Sequence, residues 1–154
     1  MTRRYEVAGE DPIEIEHLVL DVNGTLTDRG ELLPGIASRI GRLRRQLTVH
    51  LLSADTFGTL DELARLLRVD AQRISLGSEK RALLAALGAD RCAAIGNGRN
   101  DAEMLAEARL GIAVVGPEGA SAKALAAADV VCGSIQAALG LLDDPRALGA
   151  TLRP

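Results

Sequence analysis

Leu18-Val-Leu-Asp-Val-Asn-Gly-Thr-Leu-Thr-Asp28 is the stretch that decides how this chain is read. Leu18 to Val22 is a short apolar run of the kind that forms a buried strand, and it breaks into polar residues where that strand would end. Open α/β sheets bind their ligands at the carboxyl ends of their strands. Asp21 is therefore the first candidate for chemistry, although an isolated Asp before Asn-Gly is equally at home in a plain turn. Beside it, Gly24 permits close backbone approach to a ligand, and Thr25 can donate to one or cap the turn.

Working outward, strand and helix signals alternate along nearly the whole chain. Tyr5–Ala8 and Ile13–Ile15 flank the turn-rich Gly9-Glu-Asp-Pro12 and are expected to pair as a hairpin. Pro34 opens a helix whose Ile36, Ile40, Leu43 and Leu47 share one face. Val49–Leu52 reads as a strand, the Leu60/Leu63/Ala64/Leu67 stripe as a helix, and Arg73–Leu76 as a short strand. Ser78 is expected to cap a helix that Gly88 ends.

Strand Cys92–Ile95, a helix over 101–108, strand Ile112–Val115, a helix over 120–127 and strand Asp129–Val131 follow. Ser134 caps a last helix, which stops at Asp143-Asp144-Pro145. Repeated β-α units imply a three-layer α/β/α, Rossmann-like domain with a mainly parallel sheet. The expected organisation is one domain over 1–154: a hairpin at about 5–16, a core at about 17–142, and loosely held ends at Met1–Arg4 and about 145–154.

Three more polar clusters would reach the same sheet edge. Ser53, with Ala54 behind it, ends a strand; its hydroxyl and the adjacent N–H groups can donate to an anion, as a helix cap also would. Lys80 lies near a helix N-terminus and offers a mobile positive charge, which in most proteins is simply solvated. The fourth runs Ala94-Ile-Gly-Asn-Gly-Arg-Asn-Asp-Ala-Glu-Met-Leu105.

In order and type, these segments resemble the four motifs of the haloacid dehalogenase-like (HAD) phosphotransferases. Motif I of that superfamily reads Asp-x-Asp-Gly-Thr-Leu-Thr/Ala, and here Asn23 takes the place of its second Asp. Motif IV commonly reads Gly-Asp-Gly-x-Asn-Asp-x-x-Met-Leu, and here Asn97 takes the place of its first Asp. Ser53 matches motif II and Lys80 motif III. Ser53 to Thr59, Asn97 to Asp101 and Gly111 to Val115 look closest to the soluble proteins named for their similarity to the phosphorylation domain of P-type ATPases. The resemblance spans Ile13 to Leu142.

It implies a HAD fold and an aspartyl-phosphate mechanism. Asp21, Asn23 and Lys80 would be catalytic, and Gly24, Thr25, Ser53, Ala54, Lys80 and Asn100 would hold phosphate. Asp21, Asn23 through its carbonyl, Asn97 and Asp101 would hold Mg²⁺. Because the acid/base normally supplied by motif I is Asn23, hydrolysis should be slow; that group is worth typically 10² to 10⁴ in rate.

Only 31 residues separate Asp21 from Ser53, with room for a small flap at Arg29–Leu33 and none for a cap domain. An open cleft suits a phosphoprotein, or a small phosphorylated metabolite in a homo-oligomer whose neighbouring subunit covers the site. The rival reading is a HAD-derived binding or regulatory module that holds phosphate and Mg²⁺ without useful turnover.

Composition excludes other classes. Lys and Arg number 18 against 21 Asp and Glu, a net charge of −3, and Tyr5 and Phe57 are the only aromatic side chains. Neither a basic field nor a stacking platform recruits nucleic acid. No run suits a membrane span and the first 12 residues lack a signal-peptide core, so a cytoplasmic location is expected. Cys92 and Cys132 lie 40 residues apart without metal-ligand spacing. Gly96-x-Gly98 lacks the third glycine of a dinucleotide loop because Asp101 sits there. Arg39, Arg42, Arg44 and Arg45 read as the solvated face of a helix, and His17 and His50 as structural.

Overall fold

The computed structural model describes residues 1–154. Along the chain, β1 (Arg3–Tyr5) and β2 (Ile13–Ile15) form an antiparallel hairpin, and β3 (His17–Asp21) opens the central sheet. β4 (Thr27–Asp28) and β5 (Glu31–Leu32) make the small flap expected near residues 29–33. Then follow α1 (Ile36–Leu43), β6 (Thr48–Ser53), α2 (Leu60–Leu67), β7 (Asp70–Arg73), α3 (Gly77–Leu87), β8 (Cys92–Gly96) and α4 (Ala102–Glu107). β9 (Leu110–Val114), α5 (Ala122–Ala127), β10 (Val130–Cys132), α6 (Ile135–Asp143) and α7 (Pro145–Thr151) complete the chain.

The six central strands lie in the order β10-β9-β8-β3-β6-β7 and all pair in parallel. β3 sits between β8 and β6, so the run at Leu18 is buried on both faces, as its continuous apolar character requires. Successive side chains on β3 point to opposite faces. Leu18 and Leu20 enter a 29-residue core with residues of α1, α2 and α6; Val19 enters a ten-residue core with Leu84 of α3, Met104 and Leu105 of α4 and Ala124 of α5. Asp21 keeps the parity of Val19. It therefore meets the layer of α3 and α4, which carries Lys80 and Asp101.

Four expectations need correction. The hairpin strand is Arg3–Tyr5 rather than Tyr5–Ala8: Arg3 Nε donates to Leu142 O at 2.9 Å and Tyr5 Oη to the same oxygen at 2.7 Å, anchoring the N-terminus. The segment after residue 144 is not loose. Asp144 accepts from Arg146 N at 3.0 Å and Pro145 occupies the first helical position, so the Asp-Pro pair read as a stop starts α7. Leu148 is fully buried there, worth about 1.5–3 kcal/mol.

β7 covers Asp70–Arg73, not Arg73–Leu76, because it is an edge strand with only Ala71 half-buried; Ile74 packs into the core just past its end. Ser78 lies inside the first turn of α3, whose N-cap is Leu76, while Gly88 ends the helix as expected.

Candidate active site

Parallel pairing brings Asp21, Ser53 and Asn97 to one edge, and α3 and the turn before α4 aim Lys80 and Asp101 beneath them. Lys80 Nζ donates to Asp21 Oδ1 at 2.9 Å and to Asp101 Oδ1 at 2.7 Å; the lysine is 1% exposed and Asp101 is fully buried. Asp101 Oδ2 accepts from the backbone N–H groups of Asn97 (3.1 Å) and Gly98 (2.9 Å). Gly96 makes this approach feasible, since a Cβ there would lie 2.5 Å from Asp101 Cγ. Lys80 is thus an enclosed ion-pair partner and not the mobile solvated group its position suggested.

The motif I loop folds back over β3. Thr25 N, Leu26 N and Thr27 N all donate to Val22 O at 2.8–3.2 Å, a turn that needs the positive φ of +75° at Gly24. It buries Thr25 so that its hydroxyl reaches Asp21 Oδ2 at 2.9 Å and Asn97 Oδ1 at 3.2 Å. The backbone N–H groups of Asn23 and Ala54 find no carbonyl partner. Ser53 Oγ accepts from Asp55 N at 2.8 Å, which leaves its proton free to donate.

Electrostatics match this geometry. Burial, then the charge of Asp101, pushes the Asp21 carboxyl up to about 7, against the pull of Lys80 and Thr25. Burial opposes the charge on Lys80, but Asp21 and Asp101 outweigh it and raise the ammonium above its usual value. Two carboxylates and one ammonium leave a single excess negative charge in a buried cluster, an arrangement that costs stability unless something binds there.

Two expected residues make further contacts. Asp101, expected among the cation donors, has its oxygens engaged by Lys80 and the backbone, as Asp21 has by Lys80 and Thr25. Asn100 is exposed and its Nδ2 donates to Ser75 O at 2.9 Å, tying the segment before α3 to the turn before α4. The oxygens grouped for a cation are those of Asp21, Asp101, Asn97 Oδ1 and the Asn23 carbonyl; of these the Asn23 carbonyl accepts no hydrogen bond within the chain. Carboxylate, amide and carbonyl oxygens fit a hard divalent cation completed by water, with fewer charges than two motif carboxylates would give.

One group went unnoticed in the sequence. Glu118, in the loop after β9, brings its carboxylate to the motif I loop: a Cβ on Gly24 would lie 2.5 Å from Glu118 Oε2. The available signal was the turn-forming Gly116-Pro-Glu-Gly119 directly after a strand that ends on the same edge. His17 and His50 also prove to be a pair, Nδ1 to Nε2 at 3.2 Å, near the start of the central strands.

The family description haloacid dehalogenase-like hydrolase matches residues 77–142. The chain has the haloacid dehalogenase-like fold. It superposes with a TM-score of 0.68 on a protein of Streptomyces avermitilis MA-4680 described as a HAD family hydrolase, 24% identical over 90% of this chain and 87% of that one. Against the 3-deoxy-D-manno-octulosonate 8-phosphate phosphatase of Moraxella catarrhalis, solved with magnesium, phosphate and KDO, the TM-score is 0.67 at 20% identity, covering 90% and 94%. In sequence, uncharacterized protein MJ0073 of Methanocaldococcus jannaschii is 48% identical over 60 residues; the match covers 39% of this chain and 64% of that protein's length.

Within this fold, the interval between β3 and β6 holds only the flap and α1, and that between β6 and α3 only α2 and β7. No helix is long and apolar enough to cross a membrane.

Proposed function

We propose that this chain is a Mg²⁺-dependent phosphohydrolase or phosphotransferase in which Asp21 accepts a phosphoryl group and loses it slowly. The observation that carries this reading is the setting of Asp21. Its carboxylate is held by Lys80 and Thr25, and the paired strands β3 and β6 with the turns that follow them carry the free N–H groups of Asn23 and Ala54 and the Ser53 hydroxyl. Donors that surround an oxygen nucleophile stabilise the charge spread over a transferring phosphoryl group.

An Asp21 oxygen attacks phosphorus in line with the leaving group. The Asn23 and Ala54 N–H groups and Ser53 Oγ hold the phosphoryl oxygens, and Lys80 offsets the charge that accumulates. A bound Mg²⁺, held by Asp21, Asn97 Oδ1, Asp101 and the Asn23 carbonyl, would neutralise the same oxygens. Asn23 cannot give or take a proton, so the best donors have good leaving groups, such as acyl phosphates or activated aryl phosphates. The uncapped cleft suits a phosphoprotein, or a small phosphorylated metabolite if a second subunit closes the site. Nothing in the chain suits nucleic acid or a membrane, and the cytoplasm is the fitting compartment.

Incubation with acetyl phosphate and Mg²⁺, followed by acid quench and mass spectrometry of the intact protein, should show a phosphoryl adduct on Asp21. Asp21→Asn should abolish it. An adduct that persists in the variant would move the nucleophile elsewhere. No adduct, together with a thermal shift on adding beryllium fluoride and Mg²⁺, would favour a phosphate-binding module over an enzyme.

A further inference from the structure

We infer that Glu118 is the proton donor and acceptor of this site, supplied from the loop after β9 in place of the acid absent at Asn23. The inference rests on the reading that Asp21 is phosphorylated and revises its slow release, and it comes from how that loop is held. Val115 N donates to Cys132 O at 3.0 Å, and the tip closes on itself through Gly119 N and Gly116 O at 2.9 Å, with φ of +72° at Gly119. Gly116 packs against the motif I loop so closely that a Cβ there would collide with the carbonyl oxygen of Gly24.

Asn97 clamps the same loop at two points: its Nδ2 donates to Gly119 O at 3.1 Å and its carbonyl accepts from Ser121 N at 2.8 Å. The side-chain contact requires an amide. A carboxylate at position 97 has no proton for Gly119 O and would repel both that oxygen and Glu118. The amide at 97 and the loop that carries Glu118 therefore form a single arrangement.

Glu118 itself makes no ion pair and no side-chain hydrogen bond, although its Oε2 lies against Gly24, one residue from the position of the missing acid. Every other carboxylate at this edge is committed: Asp21 as nucleophile, Asp101 to Lys80 and the backbone, and Asp55 to Leu60 N and Arg73. Glu118 is exposed to solvent, with its carboxylate over the motif I loop.

In capture, an Asp21 oxygen bonds to phosphorus as the bond to the leaving group breaks, and protonated Glu118 gives its proton to the departing oxygen. In release, the Glu118 carboxylate takes a proton from water, the water oxygen bonds to phosphorus, and the bond to Asp21 breaks. Inorganic phosphate leaves, Asp21 is again a carboxylate, and Glu118 is again protonated.

The test uses the full chain, acetyl phosphate and Mg²⁺, and follows the adduct on Asp21 after the donor is removed. Acetate leaves without needing a proton, so Glu118→Gln should capture at the normal rate yet release about 10²-fold or more slowly. The pH dependence of the release rate should be weaker in that variant, and adding Asn23→Asp to it should restore release. Normal capture with unchanged release in Glu118→Gln would overturn the inference and leave Asp21 as nucleophile. A parallel loss of capture and of Mg²⁺ affinity by calorimetry would also overturn it, by making Glu118 a cation ligand. No adduct in the unaltered protein would remove the ground under both readings.

Discussion

The two sides of Asp21 differ in kind. On the side facing α3 and α4, Lys80 and Asp101 are buried and every polar atom is satisfied by another atom of the chain. On the side facing the opening, the Asn23 and Ala54 N–H groups, the Asn23 carbonyl and the Glu118 carboxylate lack protein partners. The closed side fixes where the nucleophile sits and what charge surrounds it. The open side holds the groups able to exchange partners during a reaction. Asn97 belongs to both: its backbone N–H serves Asp101, and its side chain meets Thr25 and the Glu118 loop.

Breaking the closed side should have the largest effect. Lys80→Met removes the only cation between two buried carboxylates and should cost about 3–5 kcal/mol of stability, the usual result of stranding a buried charge. Adding Asp101→Asn should recover a large part, because one stranded charge is then neutral. Chemical denaturation of the two variants measures the difference. Equal losses would show that the cluster does not act as a unit.

Breaking the open side should cost less. Asn97→Asp leaves Gly119 O without its donor and puts a carboxylate beside Glu118, a loss of about 1–3 kcal/mol in chelator. Mg²⁺ should return part of it, since the new carboxylate is a better cation ligand than the amide. Denaturation with and without Mg²⁺ measures this. No response to Mg²⁺ would place the cation away from Asn97.

How much of this could be read in the sequence follows the same division. Asp21, Ser53 and Asp101 were legible because each follows a strand whose apolar run marks it, and parity along β3 then decides which helices Asp21 must face. Lys80 was legible in position and misjudged in state, since nothing local reveals that α3 presses it between two acids. Glu118 was missed because its role depends on a contact between loops 94 residues apart, Gly24 with Glu118. The Asp144-Pro145 pair was misread for a physical reason: an acid followed by proline ends one helix and caps the next with the same chemistry. β7 slipped because an edge strand that buries little carries little pattern.

The smallest effect should come from titration, where two buried groups pull in opposite directions. The Asp21 carboxyl is raised from 3.8 to about 7 in the fold, so without a divalent cation its contribution to stability declines as pH rises through that window. His50 goes the other way. Burial, then the charge of His17, lowers it from 6.5 against the pull of Asp70. The unfolded chain therefore takes up that proton first, and stability falls as pH drops below about 6.5. In chelator, Asp21→Asn should remove the decline toward neutral pH and His50→Gln the decline toward acid. Thermal melting across this range for both variants separates the two contributions. If Asp21→Asn instead left the loss toward neutral pH unchanged, Lys80 would be holding Asp21 ionised in the empty site, and the closed side would carry its excess negative charge before any cation or phosphate arrives.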